Sequence, residues 1–121
     1  MNKPTADMKA LRTAADLRAA RERIANGWTL GAFARDAAGN VTEDKRPDAV
    51  CFCAIGALQL DWYSDQPSVE ALANAVEVVP VGCSPLTIIS PFTIVSYFND
   101  LPTTTQADVL ALFDRAIVAC E

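Results

Sequence analysis

The chain has 121 residues, 51% hydrophobic and 21% charged, with a formal net charge of −5. These proportions exclude a disordered polar chain, and the length fits one domain that buries roughly two-thirds of the surface of its unfolded form. The acidic balance argues against general nucleic-acid binding, because phosphate contacts need a positive surface.

Ala10, Ala14, Leu17, Ala20 and Ile24 recur at three- and four-residue steps, which predicts a helix from about Thr5 or Asp7 to Asn26. Leu11 widens its apolar stripe, and Arg12, Arg18 and Arg23 lie off it. Asn26-Gly27 is a stop signal, with Gly27 expected in the left-handed conformation and Trp28 closing the stripe. Gly39-Asn40, between Phe33–Asp36 and Val41-Thr42, predicts a small hairpin, followed by a charged loop from Glu43 to Arg46. Pro47 and Asp48 fit a helix start, and Ala49 to Leu60 is apolar nearly all round, so this segment reads as a central buried helix. Gly56 in its middle costs about 1 kcal/mol relative to alanine, which points to close approach of another backbone.

Asp61 to Pro67 reads as a loop presenting Trp62 and Tyr63. Ser68 reads as the cap of a third helix, about Val69 to Val78. Pro80, Gly82 and Pro85 break the chain, and Leu86 to Ile89 is either extended or the start of the next helix. Ile94, Val95 and Phe98 predict a short helix from Pro91 to Phe98, ended by Asn99-Asp100-Leu101-Pro102. The last helix starts at Thr105, where Asp108 completes a capping-box pattern, and buries Val109, Leu112, Phe113, Ala116 and Ile117. The expectation is a mainly α chain: one domain over residues 1–121, a compact bundle of about five helices with a small β-hairpin after the first.

The longest apolar run, Ala49 to Leu60, is too short for a membrane span, which needs about 20 apolar residues. No secretory core follows Met1, so a cytoplasmic location is expected, with Cys51, Cys53, Cys83 and Cys120 reduced. If Cys51 and Cys53 lie on a helix they point about 200° apart and cannot share an ion, so no metal is expected. The chain has no histidine, which removes Cys-His and Ser-His dyads and the commonest general base. No nucleophile elbow, P-loop or dinucleotide fingerprint occurs, and no catalytic residue or cofactor is expected.

Nothing in the spacing pairs the carboxylates Asp36, Asp61, Asp65, Asp100 and Asp114. Asp100 reads as a turn residue, and Asp114 as an ion-pair partner for another helix. Net charge is +3 through Arg46 and −8 thereafter, an asymmetry that bears on association rather than fold. Lys9, Arg12, Arg18 and Arg23 make no continuous basic stripe, since Asp16 and Glu22 interrupt it.

Gly27-Trp28-Thr29-Leu30-Gly31-Ala32, then Cys53-Ala54-Ile55-Gly56-Ala57-Leu58, then Asn99-Asp100, then Phe113-Asp114-Arg115-Ala116-Ile117 together resemble a family of small uncharacterised bacterial and phage proteins. The resemblance spans nearly the whole chain and is weakest between Trp62 and Ser90. It implies a phage or mobile-element setting and no assigned activity. Asn99-Asp100 and Arg35-Asp36 match its polar positions, and Phe98 stands where the pattern has tryptophan, keeping an aromatic there.

These observations favour a non-enzymatic protein–protein interaction module, a phage or mobile-element accessory protein that modulates a host protein, for example a defence-system inhibitor. The alternatives are a small-ligand or nucleotide binder and nucleic-acid binding through the basic first helix. Self-association through an apolar patch is compatible with each. The candidate binding residues are Trp28, Arg35, Asp36, Trp62, Tyr63, Asn99 and Asp100.

Overall fold

The structure is a computed structural model that describes residues 6–63, 65–77 and 90–121. The expectations for Cys83, the 80–85 breaks and Leu86–Ile89 lie outside the described residues. Helix α1 (Ala6–Asn26) forms on the predicted apolar stripe, with Ala14, Leu17, Ala20 and Ile24 fully buried. The chain then builds a three-stranded antiparallel sheet from β1 (Ala34–Arg35), β2 (Val41–Thr42) and β3 (Cys51–Phe52), in the order β2-β1-β3. Ala34 faces Thr42 on one side and Phe52 on the other, and Arg35 faces Val41 and Cys51. Helices α2 (Pro67–Ala75), α3 (Pro91–Asp100) and α4 (Gln106–Cys120) complete a mainly α fold.

The predicted hairpin is present, and Asp36 shapes its turn by accepting from the backbone N–H groups of Ala38 and Asn40 at 3.0 and 2.9 Å. The central helix expected over Pro47–Leu60 is not. That segment is β3 followed by a single 3-10 turn at Gly56–Leu58, which leaves four α-helices among the described residues instead of about five. The run is apolar because its middle, residues 52–57, is buried at every position, a pattern that fits a buried strand as well as a buried helix. β1 takes up its backbone groups: Val50 N–H donates to Arg35 O at 2.9 Å and Cys53 N–H to Phe33 O at 3.1 Å.

Two glycines explain why the segment packs so tightly. A side chain at Gly56 would run into the Phe33 carbonyl, and one at Gly27 into the Val50 carbonyl. The close approach of another backbone expected at Gly56 is therefore present, made by Phe33. Gly27 ends α1 through this contact and not through a left-handed backbone, since among the described residues the positive-φ glycines are Gly31 and Gly39.

The remaining helices keep their predicted cores with small shifts at the ends. α2 starts at Pro67 with Gln66 as its cap residue, and Ser68 is buried inside the first turn instead of capping it. Proline at a first helical position fixes φ where no N–H is needed, so it outranks the serine. Ser90 caps α3, accepting from Thr93 N–H, and this helix runs through Asn99 and Asp100 instead of ending at Phe98. Thr104 Oγ1 closes its far end by donating to Phe98 O at 2.7 Å. α4 carries the full Thr105/Asp108 capping box.

α1 and α4 form the principal helix pair. Val109, Leu112, Phe113, Ala116 and Ile117 of α4 join the α1 stripe in one hydrophobic cluster with Ile55, Leu72 and Val95. Burying a side chain such as Leu112 or Phe113 contributes about 1.5–3 kcal/mol each. Surface ion pairs run along this seam, Arg18 to Glu121 at 2.5 Å and Arg21 to Asp114 at 2.6 Å, the latter being the interhelical partner expected for Asp114. No helix among the described residues is long and apolar enough to cross a membrane.

Candidate functional site

Beyond the end of α1 the backbone runs beside β3. Phe52 N–H donates to Gly27 O and Thr29 N–H to Phe52 O, both at 3.0 Å, giving a parallel bridge between Trp28 and Phe52. This places the Trp28 indole against the core, with its Nε1–H donating to Asn99 Oδ1 at 2.9 Å. Asn99 is buried on the last turn of α3. Its Oδ1 also accepts from Ala54 N–H at 3.0 Å, and its Nδ2 donates to Thr29 O at 3.2 Å and to Asp100 Oδ1 at 3.0 Å. A primary amide offers two donors and two acceptor sites. All four are engaged, so Asn99 is a clasp joining three segments and has no capacity left for a ligand.

Asp100 is different. Its Oδ1 accepts from Gly31 N–H at 3.1 Å as well as from Asn99, and both of its bonds to described residues fall on that one oxygen. Asp100 therefore ties α3 to the loop after α1 rather than acting as a turn residue. Its side chain is exposed, and Oδ2 is available for an outside donor.

The other candidates separate. Arg35 braces the same loop, donating to Thr29 Oγ1 at 3.0 Å, to Gly39 O at 3.1 Å and to Leu30 O at 3.4 Å. Asp36 is occupied with the hairpin turn. Trp62 is 64% exposed and is not among the residues lining the cavity beside Asn99 and Asp100. Tyr63 folds back, with its ring 5.2 Å from those of Phe33 and Phe92. Its hydroxyl makes a long 3.5 Å bond to Asp44 Oδ2.

Trp28, Asn99 and Asp100 thus converge, and beside them lies an open cavity of about 350 Å³. Ala32, Phe33, Cys53 and Ile55 form its apolar walls, while α3 contributes Ser96, Asn99 and Asp100. Pockets of this size with mostly apolar walls and a few polar groups suit ligand binding. Phe33 and Val41, which line it, are 39% and 67% exposed, and Leu30, next to Gly31 in the chain, is 45% exposed. A second, shallower hollow shares Ser96 and Asp100 and continues along α3 past Tyr97 to Leu101.

Sequence reasoning passed over Phe33, Ile55 and Ser96. A partial signal existed for one of them: Phe92 and Ser96 fall at i and i+4 on the predicted helix, and Asn99 joins that face at i+7 only because α3 runs beyond the predicted end at Phe98. It also passed over Asp44, which is 8% exposed, and burial pushes its carboxyl above the usual range. Burial likewise pushes the Cys53 thiol up, with the charges of Asp100 and Asp44 adding to the effect. Cys53 stays protonated at neutral pH and is a poor nucleophile.

Cys51 and Cys53 do not lie on a helix, so the geometric ground for separating them falls away. Even so, among the described residues no three His, Cys, Asp or Glu side chains are grouped to hold a metal ion. Residues 8–119 match the profile described as a family of unknown function, DUF6197. No curated protein and no solved structure matches the chain.

Proposed function

The chain belongs to DUF6197, and since that family brings no activity with it, we propose from the geometry that it is a protein-interaction module whose contact face surrounds the cavity. The carrying observation is the exposure of Phe33 and Val41 on a concave apolar floor, with exposed Leu30 next in the chain to the lining residue Gly31. Exposed apolar groups gathered at a hollow mark binding surfaces. The face is also preorganised, since Asn99, Asp100 and Arg35 brace its loops, so little ordering entropy opposes association. A phage or mobile-element accessory role toward a host protein is the setting we assign to it, on the family resemblance alone.

The cavity volume also supports the small-ligand reading as a second choice. The nucleic-acid reading draws less support. Arg18 and Arg21 of α1 pair with Glu121 and Asp114, and Arg23 donates to Ala57 O at 2.7 Å.

The test is a tagged pull-down from host lysate, with and without nuclease, repeated with Leu30→Glu, Val41→Glu and a control, Val118→Glu. Val118 is 71% exposed on α4 and lines none of this cavity. A stoichiometric protein that survives nuclease, is lost with the first two variants and is kept with the third supports the reading. Equal capture by all three variants overturns the assigned face, and loss of all partners on nuclease treatment moves the function to nucleic acid.

A further inference from the structure

We propose that the cavity, together with the hollow beside it, receives an extended peptide segment of the partner, with one lysine ammonium on Asp100 Oδ2 and its aliphatic stem against Ala32 and Phe33. The inference rests on the protein-interaction reading and names what that face recognises.

Charge selects a cation. Among the described residues Asp100 is the only charged one lining the cavity, and it stands on an apolar floor where a carboxylate attracts an opposite charge more strongly than in open water. Arg35, which braces the loop beside the cavity, does not line it and is engaged with Thr29, Leu30 and Gly39. The chain from Pro47 onward carries a net charge of −8, which favours a basic partner.

Hydrogen-bond capacity then selects lysine over arginine. Arginine is best matched by a carboxylate that offers both oxygens to its planar fork. Oδ1 of Asp100 already accepts from Gly31 N–H and Asn99 Nδ2, so only Oδ2 is on offer. An ammonium is a compact point charge that needs one strong acceptor, and Ser96 Oγ stands in the same wall as a second. Its stem is apolar and packs on apolar walls while the head stays with the carboxylate.

The adjoining hollow argues for a peptide. It shares Ser96 and Asp100 with the cavity and is floored by Phe92, Leu101 and Pro102. The wall carrying the carboxylate therefore stands between two apolar depressions. A lysine with apolar neighbours fills both sides, whereas a free amine fills one.

The test uses ¹⁵N-labelled protein titrated with acetyl-Ala-Leu-Lys-Leu-Ala-amide, with the same peptide carrying Arg or Gln in place of Lys, and with n-butylamine. The expected result is shifts at the amides of Gly31, Ser96 and Asp100, with the Lys peptide about tenfold tighter than the Gln peptide. The Arg peptide falls between them. Asp100→Asn keeps an Oδ1 acceptor for Gly31 and should fold while losing that tenfold preference. Ser96→Lys, which sets an internal ammonium beside Asp100, should lose it too.

Equal affinity for the Lys and Gln peptides overturns the proposal, as do shifts confined to other residues. n-Butylamine binding as tightly as the Lys peptide overturns the peptide assignment in favour of a small amine. A partner lost with Leu30→Glu but kept with Asp100→Asn leaves the interaction reading standing and removes the lysine. A partner kept with both removes both.

Discussion

Two buried polar residues respond oppositely to substitution. Asn99 has all four of its hydrogen-bonding positions engaged, so truncation leaves Trp28 Nε1–H, Ala54 N–H and Thr29 O without this partner. Each orphaned buried group costs about 1–3 kcal/mol. Asn99→Ala is therefore expected to lose on the order of 3 kcal/mol or more in urea unfolding, and a loss below 1 would contradict the clasp. Asp44 holds a charge where burial disfavours it, with Lys45 and the Tyr63 hydroxyl offsetting this only in part and Glu43 adding to it. A carboxyl raised in the folded state stabilises the fold while protonated, and that contribution disappears as pH rises through the folded value. Asp44→Asn removes the charge and keeps an acceptor for Tyr63. It should melt higher than the parent at pH 7, with the gap closing as pH falls toward the ordinary carboxylate value of 3.8. An equal or lower melting temperature at pH 7 would contradict this.

Among the elements, those held by local chemistry were legible and those held by distant backbone were not. The α1 stripe, the Thr105/Asp108 capping box and the Gly39-Asn40 turn are each specified within a few residues of themselves, and each forms where expected. The Pro47–Leu60 segment misled because periodicity cannot separate a buried strand from a buried helix when every position is apolar. What decides it is pairing with β1, more than a dozen residues upstream. The site divides the same way. Asn99-Asp100 was found as a polar pair, but the cavity lining comes from four separate segments and only the tertiary structure joins them. Gly56 is the local trace of that joining, because a methyl there meets Phe33 backbone that cannot yield without moving β1. Gly56→Ala should destabilise by well over the ~1 kcal/mol that Gly→Ala gains in an exposed helix, and in the opposite direction. Urea denaturation decides it, and a stabilised variant would mean that the segment is helical after all.

At the scale of the whole molecule, one hydrophobic cluster draws on α1, β1, β3 and all three later helices. A single shared core unfolds as a unit. The two tryptophans allow a direct check, since Trp28 packs on that core and Trp62 is exposed. In Trp62→Phe the remaining indole reports on the clasp alone. Its fluorescence midpoint should coincide with that of far-ultraviolet circular dichroism, whereas an earlier fluorescence transition would mean that the site opens before the helices melt. The interhelical ion pairs Arg18–Glu121 and Arg21–Asp114 lie at the surface and are worth little individually, so moderate salt should shift both midpoints only slightly.

The Asn99 clasp also bears on the order in which the molecule assembles. Its bonds to Ala54, Thr29 and Trp28 span 45, 70 and 71 residues of chain. Contacts of such separation bring their reward only after the intervening loops have closed. The helices can begin to form without them, which places the clasp after the rate-limiting step of folding. In stopped-flow experiments Asn99→Ala should then leave the refolding rate nearly unchanged and put its whole effect into faster unfolding. The amide would act as a latch on the way out of the native state, setting how long the binding face persists once formed; a refolding rate slowed in equal measure would place it in the nucleus instead.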